Sequence, residues 1–457
     1  MLKLNIFSLK LTEITRLTIY LLAFLISFQT RLILRPGELA GGYFEYATIS
    51  LYAADIAVGL LVLAIIALLA LKAGKNAFWN LKFKGRNTLL FFAGLFIFFS
   101  FISIFAANDK WLSLFRFGWF IEGVFLFLLI VFLNYNILKF FFFLGLGLFV
   151  QAGIAVWQFI AQSDFSSKWL GMALHKAEEL GVSVIEISNP GELPERWLRA
   201  YGALPHPNIL GAAMALAALF CLYFLLGRRP AGRIAKYAPI GALTVFFIAL
   251  LASFSRSAWL GFTAGFAAIF CAVMIAKNLS KRKIMLETTL ILGLIFFAFF
   301  SLYSDLVLTR IKGKGRLEDR SISERVSSSK EAWEIIKSRP FFGVGAGNYA
   351  LAREKNNELR SVQDDKGIYE PVHNAFLLIW AEMGILGLTA FIGFLAACVY
   401  CLLSYLWAEN NNAIFGLAIM AALAIMMNFD HFWMSLHFGV WLSFLIPALA
   451  LRLSLED

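Results

Sequence analysis

The chain reads as an all-α polytopic membrane protein, with about twelve membrane-spanning helices and one large polar loop on the outer face. Three observations carry this. Hydrophobic residues make up 60% of the chain and charged residues only 15%, against about 25% charged in soluble domains. Apolar windows of roughly 20 residues, the length a helix needs to cross a bilayer, recur along the chain. Basic residues gather in alternate connections between those windows, so one side of the membrane is strongly positive.

The windows fall near 14–34, 48–71, 88–107, 113–133, 137–161, 207–226, 237–254, 257–276, 285–304, 384–407, 412–428 and 436–453. The first carries Arg31 at its far end and lacks a small-residue cleavage site, so it is expected to be a span and not a cleaved signal peptide. Lys72, Lys75, Lys82, Lys84 and Arg86 fill one connection. Arg228, Arg229, Arg233 and Lys236 fill a second, and Lys277, Lys281, Arg282 and Lys283 a third. With twelve spans, all three share a side with Lys3 and Lys10. The positive-inside rule makes that side cytoplasmic, with both termini on it. The net charge of +11 is thereby assigned to membrane-flanking loops, and no nucleic-acid partner is expected.

A single membrane domain is expected over 1–457, with two long outer segments, 162–205 and 305–372. The first holds Asn189-Pro190-Gly191 and Leu193-Pro194 and reads as turn-rich. The second opens with Arg310, Lys312, Lys314 and Arg316. There Ile322, Val326, Trp333 and Ile336 recur at helical spacing, which predicts an amphipathic helix lying on the membrane or over the spans. Pro340 ends it. Cys221, Cys271, Cys398 and Cys401 all lie in apolar windows. The C-x-x-C spacing of the last two reads as packing, because no strand–helix–strand context surrounds it.

The large loop closes with Pro371-Val372-His373-Asn374 at the mouth of the next span. A histidine there can reach a lipid-borne and a water-soluble substrate and can exchange a proton near neutral pH. The plainer alternative is an interfacial histidine bonded to its own loop. Arg256, in Ser255-Arg256-Ser257, starts a span on the side where positive charge is least expected. Its fork of donors suits a phosphate, or it anchors the helix at the interface or in an ion pair. Arg199 precedes Tyr201 to Asn208, where prolines on both sides of His206 fix a non-helical turn into the membrane. That turn either only starts the helix or takes part in binding. Arg325, on the amphipathic helix, is a solvated charge unless that helix folds over the same cavity.

Asp430-His431 either orients an imidazole or caps a turn. Gly343 to Asn348 is glycine-rich but lacks the preceding strand that a nucleotide loop needs, so it reads as a turn. Glu38, Glu45, Asp364 and Asp365 form no compact cluster of hard ligands, so neither metal nor cofactor is expected.

Four stretches taken together resemble the O-antigen ligase/O-antigen polymerase superfamily of bacterial envelope glycosyltransferases. They are Arg199 to Asn208, Ser255 to Gly261, Glu324 through Pro340 to Asn348, and Pro371-Val372-His373-Asn374 running into Glu382-Met383-Gly384-Ile385-Leu386-Gly387. The His-Asn pair followed by Glu-x-Gly-x-x-Gly is the most specific part. The resemblance spans roughly 195–395, and the N-terminal spans match only in hydropathy.

It implies a GT-C-like multi-spanning scaffold in the bacterial cytoplasmic membrane, with its site facing the periplasm. The implied donor is an undecaprenyl-diphosphate-linked glycan, used without nucleotide sugar or metal, and the acceptor is lipid- or glycan-borne. His373 matches the general base, Arg256 and Arg325 the arginines on the diphosphate, and Arg199 is a further candidate. Asn374, His206, Asp430 and His431 are supporting candidates. Ligase and polymerase both remain open, as does the acceptor. A transporter of a small anion or lipid-linked glycan is the alternative of a different class. It needs a polar path through the membrane, and the spans offer few charges beyond Asp55, Glu122 and Glu382.

Overall fold

The computed structural model describes residues 2–71, 83–187, 194–227, 233–313, 315–359 and 370–455. Lys72, Lys75, Lys82, Asn189 to Gly191, Leu193, Arg228, Arg229, Lys314 and Asp364-Asp365 lie outside the described residues.

The chain begins with α1 (Leu2–Leu25), followed by short strands β1 (Arg31–Arg35), β2 (Glu38–Leu39), β3 (Gly42–Tyr43) and β4 (Ile49–Tyr52). Four helices follow: α2 (Ala53–Ala70), α3 (Arg86–Ser103), α4 (Lys110–Phe132) and α5 (Ile137–Ala161). A hairpin of β5 (Val184–Ile187) and β6 (Glu195–Leu198) leads to α6 (Pro207–Leu226), α7 (Arg233–Ala252), α8 (Arg256–Ile275) and α9 (Leu279–Leu302). The polar segment folds as α10 (Ser304–Lys312), α11 (Arg316–Ser338) and α12 (Tyr349–Leu359). The last part is α13 (Ala375–Trp407), α14 (Ala413–Met427), the short α15 (Phe432–Ser435) and α16 (His437–Leu455).

This is an all-α polytopic membrane protein. Among the described residues nine helices are long and apolar enough to cross a bilayer, and the apolar stretches Ala238–Ala252 and Ala413–Met427 are shorter. The first window is displaced from its expected place, because α1 ends at Leu25 and Arg31–Arg35 pairs antiparallel with β4. Leu32-Ile33-Leu34 is apolar enough to extend a hydropathy window. Arg31, however, is ion-paired to Glu45, which holds the segment as a hairpin.

Helices α6 and α16 are buried along nearly their whole length and form the centre. Small residues make this possible: Gly211, Ala212, Ala213 and Ala215 on α6 let neighbouring backbones approach closely. Helices α2 and α9 instead turn Leu63, Ile66, Leu290 and Phe297 outward, as a lipid-facing surface does. The starts of several spans carry side-chain caps that satisfy otherwise orphaned N–H groups. Asp109 accepts from Leu112, Asn136 from Lys139, and Asn278 from Lys281.

The polar segments gather at the end of the bundle where α4, α6, α8 and α13 begin. Arg35 pairs with Asp109 at 2.7 Å, Arg316 with Glu186 at 2.5 Å, and Arg310 donates to the Phe254 carbonyl at 2.8 Å. Helix α11 buries Glu318, Ser328, Ala332, Ile335 and Ile336 against this layer. Of the apolar stripe that predicted this helix, Ile336 is buried while Ile322, Val326 and Trp333 are exposed, and Trp333 meets Trp380 edge to face at 5.2 Å.

The glycine-rich turn has a structural task. Val344 N–H donates to Ala381 O at 3.0 Å, Gly345 N–H to Glu382 O at 2.8 Å, and Ile385 N–H to Pro340 O at 2.8 Å. These bonds require α13 to break at Gly384, whose φ of 71° suits glycine. A side chain there would strike the Phe341 carbonyl. The turn's N–H groups are therefore largely committed to protein partners and form no phosphate cradle.

Candidate active site

Asn374 caps α13, its side-chain oxygen accepting from Phe376 and Leu377 N–H at 2.9 and 3.0 Å. Its amide donates to Asn428 O at 3.1 Å, which ties the start of α13 to the turn after α14. His373 is thereby held beside Asp430 and His431. Its Nδ1 lies 3.9 Å from Asp430 Oδ1, and its Nε2 lies 3.5 Å from Glu370 Oε2. The two imidazole rings are 5.0 Å apart. At 21% side-chain exposure, His373 remains reachable. Its Nδ1 is closed to solvent and has no hydrogen-bond partner among the described residues.

Asp430 is fixed by bonds to its second oxygen and its neighbour. Asn208 donates to Oδ2 at 2.7 Å, and His431 N–H donates to Oδ1 at 2.9 Å. Burial alone would raise its pKa, but the surrounding imidazoles and the Asn208 bond bring it down to about 2. His431 is pushed down to about 4 by burial, against the pull of Asp430, and its Nδ1 meets Ser435 Oγ at 2.7 Å. Near neutral pH, Asp430 is a carboxylate and His431 a neutral imidazole.

Glu370 is held at about 2. Burial opposes this, and the hydrogen bond to His373 together with the neighbouring imidazoles of His431, His373 and His206 outweighs it.

The arginines reach the same place from two sides. On one side, buried Glu318 takes Arg310 Nη1 at 2.5 Å and Arg256 Nη1 at 3.0 Å on its two oxygens. Burial and the neighbouring Arg256 disfavour the charge of Arg310, and Glu318 opposes them. Arg325 lies near this pair and near Asp430, and burial is the main influence lowering its pKa. Its Nε is closed to solvent without a hydrogen-bond partner among the described residues.

On the other side, Arg199 is spent inside the protein. Its Nε donates to Ser253 O at 2.9 Å and its Nη2 to Asn208 Oδ1 at 2.7 Å. Burial, then Arg310, moves its pKa well below the ordinary value.

His206 caps α6. Its Nδ1 accepts from Asn208 N–H at 3.0 Å, and its Nε2 lies 2.9 Å from Ser183 Oγ. With both nitrogens engaged and burial pushing its pKa to about 3, it is a neutral structural imidazole.

The fold thus brings His373, Asn374, Asp430, His431, Arg256 and Arg325 together, and places Arg199 and His206 behind them as supports. Sequence reasoning passed over Arg310, Glu318 and Glu370. Arg310 stood in a basic run, and Glu318 gave no motif, because its pairing depends on how α10 folds back on α11. The spacing Glu370-x-x-His373 was the one local hint.

The expectation of no compact cluster of hard ligands is corrected by the fold. Ligand atoms of Glu370, His373 and His431 lie within 4.8 Å of one another, and so do those of Asp55, Glu122 and His437. Each trio is close enough to hold a metal ion. Distant parts of the chain supply them, so sequence proximity could not reveal them.

Two apolar grooves are lined by helices that also carry site residues. One, of about 380 Å³, is lined by Leu250, Trp259, Phe262, Phe296 and Ile311 among others, Trp259 following Arg256 by three residues and Ile311 following Arg310 directly in the chain. The other, of about 310 Å³, runs between α13 and α14 from Phe376, two residues after Asn374.

No curated protein matches the chain. Residues 240–392 match the family described as O-Antigen ligase. That segment holds Arg256, Arg310, Glu318, Arg325, Glu370 and His373, whereas Arg199, His206, Asp430 and His431 lie outside it. Over these residues the chain carries an O-antigen ligase domain, which holds the paired arginines and His373 and supports a place in the O-antigen ligase/polymerase superfamily.

Proposed function

We propose that this protein transfers a glycan from a polyprenyl-diphosphate carrier to an acceptor hydroxyl, on the outer face of a bacterial cytoplasmic membrane. The observation that carries the reading is Arg325, whose Nε has no hydrogen-bond partner among the described residues, and an accessible imidazole, His373, both beside Asp430. An isoprenoid tail fits the groove near Trp259 and Ile311. Its diphosphate then meets Arg325 and Arg256, whose forked donors match phosphate oxygens.

In the reaction, the acceptor oxygen attacks the anomeric carbon and its proton passes to the His373 imidazole. The bond between that carbon and the phosphate oxygen breaks, and polyprenyl diphosphate leaves as an anion. One direct displacement inverts the carbon. Asp430 beside Nδ1 and Glu370 beside Nε2 stabilise the imidazolium that forms. The arginines stabilise the charge growing on the leaving group, which is commonly the largest catalytic term.

The second groove, beside Phe376, favours a lipid-borne acceptor. The test is transfer in liposomes containing only the purified protein, a polyprenyl-diphosphate-linked glycan and an extracted acceptor lipid, with a chelator present. Transfer with release of polyprenyl diphosphate supports the reading. Movement of intact lipid-linked glycan across the bilayer without cleavage would replace it with the transporter.

A further inference from the structure

Three side chains that take no part in the reaction above meet among α2, α4 and α16. Asp55 stands in the first turn of α2, Glu122 in the middle of α4, and His437 at the first residue of α16. His437 Nε2 lies 2.6 Å from Asp55 Oδ1 and 3.7 Å from Glu122 Oε2. All three atoms are closed to solvent, and none makes an aligned hydrogen bond among the described residues.

The surroundings hold these atoms in place. The other Asp55 oxygen accepts from Tyr52 N–H at 2.8 Å, which aims Oδ1 at the histidine. The imidazole, 2% exposed, is stacked on Tyr52 at 4.1 Å and walled by Trp119 at 5.3 Å and Trp441 at 4.5 Å. Arg116, on the same helix as Glu122, lies over the Trp119 ring and donates to Tyr46 O at 2.7 Å.

We propose that Asp55, Glu122 and His437 bind a divalent transition-metal ion. Two carboxylates and one imidazole leave the trio negative whether or not the imidazole is protonated, which is costly within the span region. A divalent cation brings two carboxylates and a neutral imidazole to zero and satisfies all three orphaned atoms. Bonds of about 2.0–2.2 Å set tetrahedral ligand atoms roughly 3.3 Å apart. The observed 2.6 and 3.7 Å bracket that spacing, so small shifts of Asp55 and Glu122 complete the site. Glu122 keeps 25% side-chain exposure, which leaves an access route. One nitrogen and two oxygens suit Zn²⁺ or Mn²⁺. The ion would pin the start of α16, which directly follows the turn carrying Asp430, His431 and Ser435.

The test needs no transfer assay. Full-length protein in detergent is stripped with chelator, offered Zn²⁺ or Mn²⁺, desalted, and read by elemental mass spectrometry and thermal unfolding. About one ion per chain and a raised apparent Tm are expected. His437→Gln and Glu122→Gln should each lower retained metal about ten-fold or more, while His431→Ala keeps it. If wild-type protein retains no ion and shows no shift, the proposal is overturned without reference to any variant. Binding lost in His431→Ala and kept in His437→Gln also overturns it, by placing the ion at the other trio.

Discussion

Arg199 and Arg325 lie within one network around Asp430, yet they are used in opposite ways. Arg199 bonds to Ser253 O and Asn208 and, through Asn208, steadies Asp430. Arg325 leaves its Nε without a hydrogen-bond partner among the described residues. The first arginine has already exchanged its donors for protein acceptors, so it contributes to stability and alignment. The second keeps its donors, so it can contribute to binding an anion. The difference lies in which acceptors the fold supplies.

The largest effect that could break this comparison is on turnover. Arg325→Ala should lower transfer by about 10²–10³-fold, the usual cost of removing one preorganised donor, with little change in apparent Tm. Arg325→Lys keeps a charge but loses the fork, so it should recover only part of the loss. If Arg325→Ala unfolds the protein, the two arginines are not different in kind.

Arg199→Ala should act the other way. It leaves Asn208 Oδ1 and Ser253 O without a donor, costing about 2–3 kcal/mol of stability. Its apparent Tm should fall by several degrees, while the donor KM of the surviving folded protein changes little. A large rise in donor KM at unchanged Tm would return Arg199 to the diphosphate site.

The dependence on pH sharpens the picture of the buried network. The pKa of His431 is lowered from 6.5 to about 4, so the unfolded chain takes up that proton first. Its contribution is fully present above about pH 6.5 and is lost as pH falls toward 4. His206, lowered to about 3, adds to the same slope. Apparent Tm should therefore decline over that window, and His431→Gln should flatten the decline. An unchanged slope in the variant would show that His431 is not held neutral. The smallest expected effect is Asn374→Ala, which removes an N-cap worth about 1 kcal/mol, read as a modest fall in Tm.

These contrasts also mark what could be read before folding. Hydropathy located the spans because a helix crossing lipid must be apolar over a set length. The same averaging hid the hairpin, since Leu32-Ile33-Leu34 looks like lipid-facing sequence until Arg31 finds Glu45. His373, Arg256 and Arg325 were legible from their motifs and from where those sit relative to the spans. Whether an arginine was free was not legible, because it depended on Ser253, 54 residues from Arg199, and on Glu318 folding back between Arg256 and Arg310. The Asp55–Glu122–His437 trio was hidden for the same reason: three helices far apart in the chain supply one atom each.

The central claim is that His373 accepts the proton of the acceptor hydroxyl while the arginines hold the donor. The most direct measurement pairs transfer with donor binding for wild type and His373→Ala in liposomes, using a polyprenyl-diphosphate-linked glycan. Transfer by the variant should fall by about 10²–10⁴-fold, the usual share of general-base catalysis, while donor affinity and apparent Tm stay near wild type. Near-wild-type transfer by His373→Ala would contradict the account and remove this histidine from the chemistry.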